Sequence, residues 1–388
     1  MANALGNYNE IFFAQTALPF LVKNLGMAPR VYMVNSNVPS LQGDTVRLRR
    51  PSSFTAAGAP SSTMTDVTPE AITLTLDTWQ YVAFSLTDKE LALSAPQLIR
   101  DHIAPMAYAL ADKVDADLFA LYKDIPYRFG TEGTVISSLT SIALVRKKMN
   151  DQKIPDDFGA RHFAIGTTEE ATLLPLTGMS QNAGATDSST QALLKGSLGT
   201  KFNLEMFCTQ NVPSQTHGTL SISGQCIYIS ATASTVQTVK IYGDSLGVNG
   251  TIKVGDLISV STSSNTYTVT STIVSVDVIN SVSFSIYPSI AGADIGASAW
   301  IVGNNITTGV YANNLAFHRN AFGVCFAPLS TLGADMGARI YTVTDPFTGI
   351  SLRATMYYVG DDSAVHVRLD VLYGVKTLHP ELAVRVLG

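Results

Sequence analysis

Apolar positions crowd together at the start of the chain and then begin to alternate. Residues 10–25 (EIFFAQTALPFLVKNL) are apolar on most faces of a helix, with Pro19 placed to break or bend it. From Asp44 to Arg50, DTVRLRR sets Val46 and Leu48 on one side of a strand and Arg47 and Arg49 on the other. AITLTLDTWQYVAF alternates in turn through Ile72, Leu74 and Leu76. Between them, PSSFTAAGAPSSTMTDVTP is nearly uncharged and far longer than the roughly 2–5 residues that close an ordinary hairpin. An extended β-loop projecting from the body is expected.

After Ser94 and Pro96 the period changes. Ile99, Ile103, Met106, Leu110, Val114, Leu118 and Leu121 recur at steps of three and four, the stripe of a helix of about seven turns. Pro105 lies inside it and predicts a kink, or a helix that begins near it. A second helix is expected over about 138–149 with Leu139, Ile142, Val145 and Met149 inward, then the strand HFAIG, then a helix in TTEEATLLPL whose Thr167 and Glu170 have capping-box spacing. Residues 218–310 carry as charges only Lys240, Lys253, Asp244, Asp256, Asp277 and Asp294. Their short strands (QCIYIS, TVKIYG, NTYTVT, SVSFSIYP) recur at roughly 8–12-residue spacing, the mark of a small barrel or sandwich. Mixed character resumes with NNLAFHRNAFGVCFAPL. GISLRATMYYV and AVHVRLDVLYG then predict a long hairpin across Gly360–Ser363, with Val365, Val367, Leu369 and Val371 on one face.

Composition sharpens this picture. A chain of 388 residues divides into two or three domains. Charged residues are 14% against a usual share of about 25%, while 46% are apolar, so surface is expected to be hidden against partners. A net charge of -5 argues against a protein built to grip a nucleic-acid backbone. Cys208, Cys226 and Cys325 lack C-x-x-C spacing, which excludes a disulfide framework or zinc knuckle and fits a reducing compartment. IFFAQTALPFLV resembles a leader's apolar core, but it follows Glu10 and no Lys or Arg precedes Lys23, so no secretory signal is expected. No apolar run approaches the roughly 20 residues that cross a bilayer, and a soluble protein without membrane partners is expected.

No convincing catalytic constellation emerges. GDSL at Gly243–Leu246 offers Ser245, but no histidine has the Asp three residues before it that hydrolases with this tetrapeptide carry, leaving a plain turn. G-x-S-x-G, the phosphate-binding loop, H-E-x-x-H and the EF-hand spacing are absent. His102, His162, His217, His318, His366 and His379 have no second ligand at metal spacing, and Asp112, Asp115 and Asp117 with Lys113 read as a solvated helix face. The sequons at Asn249 and Asn305 carry no chemistry without export. No catalytic residue, cofactor or metal is expected.

Taken in order, these parts resemble the major capsid protein of tailed bacteriophages, with the Hong Kong 97-type fold. IAPMAYALADKVDADLFALY is similar to the family's spine helix, NNLAFHRNAFGVCFAPL to a segment common in podovirus coat proteins, and LDVLYGVKTLHPELAVRVLG to their ending. TIKVGDLISV with the strands after it is similar to their inserted barrel. The resemblance covers nearly the whole chain. It implies an α+β fold: N-terminal arm 1–43; extended loop 44–86; peripheral domain with spine helix 87–130 and 345–374; axial domain 131–216, 312–344 and 375–388; inserted β domain 217–311. It also implies a subunit made in the host bacterial cytoplasm and resident in the virion. Hexamers and pentamers of it would build an icosahedral precursor shell that expands as double-stranded DNA enters.

Implied partners are further copies of the chain, a separate scaffolding protein, a portal protein, and DNA held without sequence specificity. Arg47, Arg49, Arg50 and Phe54 are the candidate intersubunit contacts, and Pro105 the candidate hinge. No Lys lies between Lys23 and Lys89, so the loop lacks the lysine that some members use in a Lys–Asn cross-link. A second reading, from the Ser/Thr-rich β segment, is a surface adhesin.

Overall fold

The computed structural model describes residues 10–34, 45–50, 70–176, 196–218, 227–228, 238–242, 248–260, 265–271, 274–279, 281–291, 294, 298–301, 310–331, 338–345 and 349–388. In chain order these form α1 (Glu10–Asn24), β1 (Tyr32–Val34), β2 (Thr45–Arg50), β3 (Glu70–Thr75), β4 (Thr78–Thr87), α2 (Asp88–Phe119), β5 (Arg128–Phe129), α3 (Leu139–Asp151), β6 (Arg161–Ile165), α4 (Thr167–Leu173), β7 (Thr200–Lys201), β8 (Leu204–Cys208) and β9 (Ser214–Thr216). There follow β10 (Ile227–Tyr228), β11 (Thr238–Tyr242), β12 (Val248–Ile252), β13 (Leu257–Val260), β14 (Thr266–Val269), β15 (Val274–Ile279), β16 (Ser281–Tyr287) and β17 (Ser298–Ile301). The chain closes with β18 (Val310–His318), β19 (Phe322–Ala327), β20 (Arg339–Thr344), β21 (Ser351–Val359), β22 (Ala364–Thr377) and β23 (Ala383–Leu387). This is a mixed α+β protein.

The described residues fall into two compact units. The first holds those up to Val114 together with Gly323–Leu378. Its sheet runs β1-β19-β22-β21-β20, with β4 pairing along β22 from Ala364↔Thr87 to Tyr373↔Thr78. Alternation gives β22 two faces: Val367, Leu369 and Val371 are buried on one, and Arg368 and Asp370 point to the other. On α2 the expected stripe is present, with Ile103, Met106, Leu110, Val114 and Leu118 all buried. A two-stranded sheet, β2-β3, pairs in register from Thr45↔Thr75 to Arg50↔Glu70. Its base meets β22 where Gly374 allows close approach: a Cβ there would come within 2.1 Å of the Thr75 carbonyl oxygen.

The second unit holds Asp115–Phe322 and His379–Gly388. Its sheet, β5-β23-β18-β6-β8-β7, has β9 pairing the start of β18. All five residues of β23 are buried, because both faces of this strand are covered. Val384 and Val386 join Ile142, Val145 and Met149 of α3 and Leu173 of α4 in one core. On the opposite face Leu387 packs with Tyr311 and with Leu257 of the β-rich segment. That segment forms a sheet ordered β10-β17-β13-β14-β16-β11, with β12-β15 paired beside it.

Several expectations are corrected. α2 begins at Asp88, so Pro96 and Pro105 lie within a helix that neither starts nor ends at them; α1 likewise runs through Pro19. Residues 71–84 form two strands rather than one, parted at Leu76–Asp77. Thr167 does not cap α4: Gly166 is the cap residue, and its N–H donates to Asn314 Oδ1 at 2.8 Å. Asp115 is 4% exposed and so leaves the solvated face on which Asp112 and Lys113 remain. β19 and β20, expected with the axial domain, hydrogen-bond within the first unit's sheet, because β19 pairs β1 in parallel and β20 pairs β21. GDSL at 243–246, Phe54, Cys226 and Asn305 lie outside the described residues.

Candidate functional site

The expected contact residues lie on the β2-β3 hairpin. Arg47 is exposed while Val46 and Leu48 on the other face are half-buried, as the alternation requires. Backbone register sets Arg47 opposite Thr73 and Arg49 opposite Ala71. The side chains of Arg49 and Arg50 lie outside the described residues, and Pro105 is exposed on α2.

Sequence reasoning missed a cluster on the first unit's sheet. Asp370 is fully buried on β22, and cross-strand pairing brings Arg353 of β21 and Tyr81 of β4 to either side of it. Its Oδ1 accepts from Trp79 Nε1 at 3.0 Å and Arg368 Nε at 2.6 Å; its Oδ2 accepts from Arg353 Nη2 at 3.0 Å. Arg353 also donates to the Ser330 carbonyl at 2.9 Å. The two guanidinium groups lie 5.5 and 5.2 Å from the Trp79 ring centre, and that of Arg368 lies 4.0 Å from Tyr81. One carboxylate thus fixes two cations and an indole, while Trp79 and Tyr81 remain 51% and 58% exposed. Such a rigid aromatic surface is suited to contact.

The second unit holds a sealed counterpart. Arg385 lies on the face of β23 opposite Val384 and Val386 and is fully buried. Its Nε donates to Asn313 Oδ1 at 3.1 Å, its Nη1 to the Gly255 carbonyl at 2.8 Å, and its guanidinium sits 4.9 Å from the Tyr122 ring centre. Gly255 adopts φ +91, a conformation that favours glycine. The Tyr122 hydroxyl donates to Gln215 Oε1, and Gln215 Nε2 donates to Asp256 Oδ1 at 3.0 Å. Asp256 Oδ2 receives the backbone N–H groups of Gly218 and Lys253, both at 2.9 Å. Burial raises the Asp256 carboxyl above its ordinary value, against those hydrogen bonds, and lowers Arg385. The network ties the β-rich segment to β23, β18 and β9.

Neither cluster is arranged for catalysis, since neither presents a nucleophile beside a base. Burial, and then Glu170, push the Cys208 thiol up to about 12, the opposite of an activated cysteine. Among the described residues no group of three or more His, Cys, Asp or Glu side chains is placed to hold a metal ion. No described helix is long and apolar enough to cross a membrane.

No family model and no curated protein matches the chain. Among solved structures, a chain from Mycobacterium phage Che8 superposes with a TM-score of 0.49 at 11% identity, over 93% of this chain and 90% of that one. The capsid of the cyanophage P-SCSP1u gives 0.43 at 10% identity, over 92% and 86%. The mature capsid of bacteriophage PhiM1 gives 0.45 at 9% identity, over 93% and 86%.

Proposed function

We propose that the protein is a shell-forming subunit, the major capsid protein of a tailed phage, and not an enzyme. The observation that carries this reading is the order of the described elements. A terminal helix, a paired β2-β3 hairpin and the 32-residue α2 precede a mixed sheet with its own helices, and a β-rich segment interrupts that sheet between β9 and β18. That is the order the sequence resemblance implies for the arm, extended loop, spine, axial domain and insertion. Low charge supports it, since a subunit that covers its surface with copies of itself needs few charges of its own. Interfaces of about 1,200–2,000 Å² repeated around each subunit make individually modest contacts durable together.

In this reading the shell encloses DNA and forms on a separate scaffolding protein. The hairpin crosses onto a neighbour, with Arg47, Arg49 and Arg50 pairing acids there and Phe54 packing beside them. Pro105 is the hinge as the shell expands. Electron microscopy of the purified protein, with and without a candidate scaffolding protein from the same genome, tests the reading: uniform closed shells are expected. Monomers or small oligomers under every condition would favour the adhesin. Replacing Arg47, Arg49 and Arg50 together by Ala should weaken shells while the unassembled subunit melts unchanged; an equal drop in both sinks the hairpin's role.

A further inference from the structure

The loop from Gln152 to Ala160 carries a phenylalanine, Phe158, that stands out from the fold. Phe158 is 91% exposed, the most of any large apolar side chain described, whereas the next, Tyr81 and Tyr358, reach 58% and 57%. The loop beneath it is held from every side. Lys153 N–H donates to the Asn150 carbonyl at 2.8 Å, Ala160 N–H to the Asp157 carbonyl at 3.2 Å, and Arg319 N–H to the Ala160 carbonyl at 2.8 Å. Arg161, only 1% exposed, donates to the carbonyls of Ile154 and Pro155 and to Asn150 Oδ1, and reaches Asp156 at 3.1 Å. Asp156 also receives Arg146 at 2.7 Å and Asn203 at 2.8 Å. A loop built this way has already lost its conformational freedom, so burying its tip gains nearly the full hydrophobic benefit. An exposed aromatic on a pre-ordered loop has the character of an interface anchor.

The same unit carries a recess that fits such an anchor. It measures about 220 Å³ and has a mixed lining, apolar at Tyr127, Tyr267, Pro288 and Ala291 and polar at residues that include Lys148 and Ser289. Pockets for drug-sized ligands run to roughly 300–1,000 Å³, so this one is sized for a side chain. Its walls are set before anything enters: the Tyr267 hydroxyl donates to Asp294 at 2.7 Å and accepts the Ala291 N–H at 3.2 Å, and Thr266 donates to the Pro126 carbonyl at 2.6 Å. Charge matches as well. Asp157, beside Phe158, is 73% exposed even though its carboxylate lies 3.8 Å from His318 Nε2, and the recess presents Lys148.

We infer that Phe158 of one subunit seats in the Tyr127–Tyr267–Pro288 recess of a second copy of the chain, with Asp157 set against Lys148. This rests on the self-assembly proposed above and names one of its contacts. Two changes made singly and together test it: Phe158→Ser, which removes the anchor, and Ala291→Trp, which fills the recess. Each should raise the protein concentration needed for shells at least tenfold while leaving melting of the unassembled subunit unchanged. The double variant should be no worse than the poorer single, because both remove one contact. Shells from Phe158→Ser at the normal concentration overturn the inference while leaving the capsid reading intact. So does a defect in Phe158→Ser that Ala291→Trp fails to reproduce, or one that simply adds in the double variant. Absence of shells from the unsubstituted chain under every condition defeats self-assembly itself, and this contact with it.

Discussion

The two units solve one problem in opposite ways. Each places a fully buried charged residue on a β-strand, gives it hydrogen-bonding partners from other parts of the chain, and sets a guanidinium group against an aromatic ring. Around Asp370 the aromatic rings stay half in water and the arginines reach the surface. Around Arg385 everything is closed: Asp256 and Asn313 are fully buried, and Gln215 and Tyr122 nearly so. Shared chemistry therefore does not imply a shared role. The open cluster stiffens a surface that faces outward from its sheet, and the closed one fastens a β-rich segment onto the sheet beneath it.

The comparison breaks most severely at Arg385. Changing it to Met leaves Asn313 Oδ1 and the Gly255 carbonyl without their donor, and Asp256 without the cation that acts on it through space. Removing one member of a buried charge network costs about 3–5 kcal/mol. Urea denaturation of the unassembled subunit should show this loss, and hydrogen exchange should show early opening of residues 251–260. A loss under about 1 kcal/mol would mean that apolar packing, as in the Leu257–Tyr311–Leu387 cluster, carries the junction without the charge.

The open cluster should yield less. Asp370→Ala strips Trp79 Nε1 and two guanidinium groups of their acceptor, but both arginines keep a path to water. A cost of about 1–3 kcal/mol is expected for the buried partners left unpaired. Tryptophan fluorescence separates this variant from a merely destabilised one, since Trp79 loses its hydrogen bond in the folded state. An unchanged emission spectrum alongside full stability would show that the carboxylate does not organise the surface.

How far the sequence showed this follows from the range of each signal. Steps of three and four marked the buried faces of α2 and α3 because those faces are properties of one helix. Period two found the hairpins and the inward valines of β22 for the same reason. The capping box failed at Thr167 because the N-terminus of α4 is satisfied from β18, by Asn314, nearly 150 residues away. Arg385 and Asp256 meet only once β23, β18 and β9 are aligned, and no local pattern encodes that. Two faint signs were nonetheless present. Arg385 is the sole charge in the apolar strand AVRVL, and Asp256 is one of few acids in a charge-poor segment, so each charge stands where burial is the rule. Asn313 and Asn314 show the same logic: neighbours on one strand, they point to opposite faces, the first to Arg385 and the second to Glu169 at 3.1 Å. The open cluster hid behind the valines, because period two shows which side of β22 is core but not that a carboxylate on the other side is buried by cross-strand partners.

The subtlest difference between the clusters is one of pH. Burial raises the Asp256 carboxyl in the folded protein, so the folded state holds its proton more tightly than the unfolded chain, where an Asp titrates near about 3.9. A group with a raised folded pKa contributes stability below the unfolded value and loses it as pH rises through the folded one. The Asp256 contribution should therefore decline with rising pH across that window and be level above it. Asp156 works in reverse: its hydrogen bond from Asn203, with Arg161 and Arg146 adding, lowers its carboxyl, and its contribution is lost as pH falls. Raw stability curves mix the two, and the clean measurement is the difference between wild type and Asp256→Asn, by urea denaturation in steps from about pH 3.5 to 7. Asn keeps the shape and an acceptor for the Gly218 and Lys253 N–H groups, while the Gln215 amide can turn over to face it. Relative to wild type the variant should gain as pH rises through the window and then hold steady. Parallel curves throughout would show that Asp256 folds with its charge fully compensated by the hydrogen bonds from Gly218, Lys253 and Gln215.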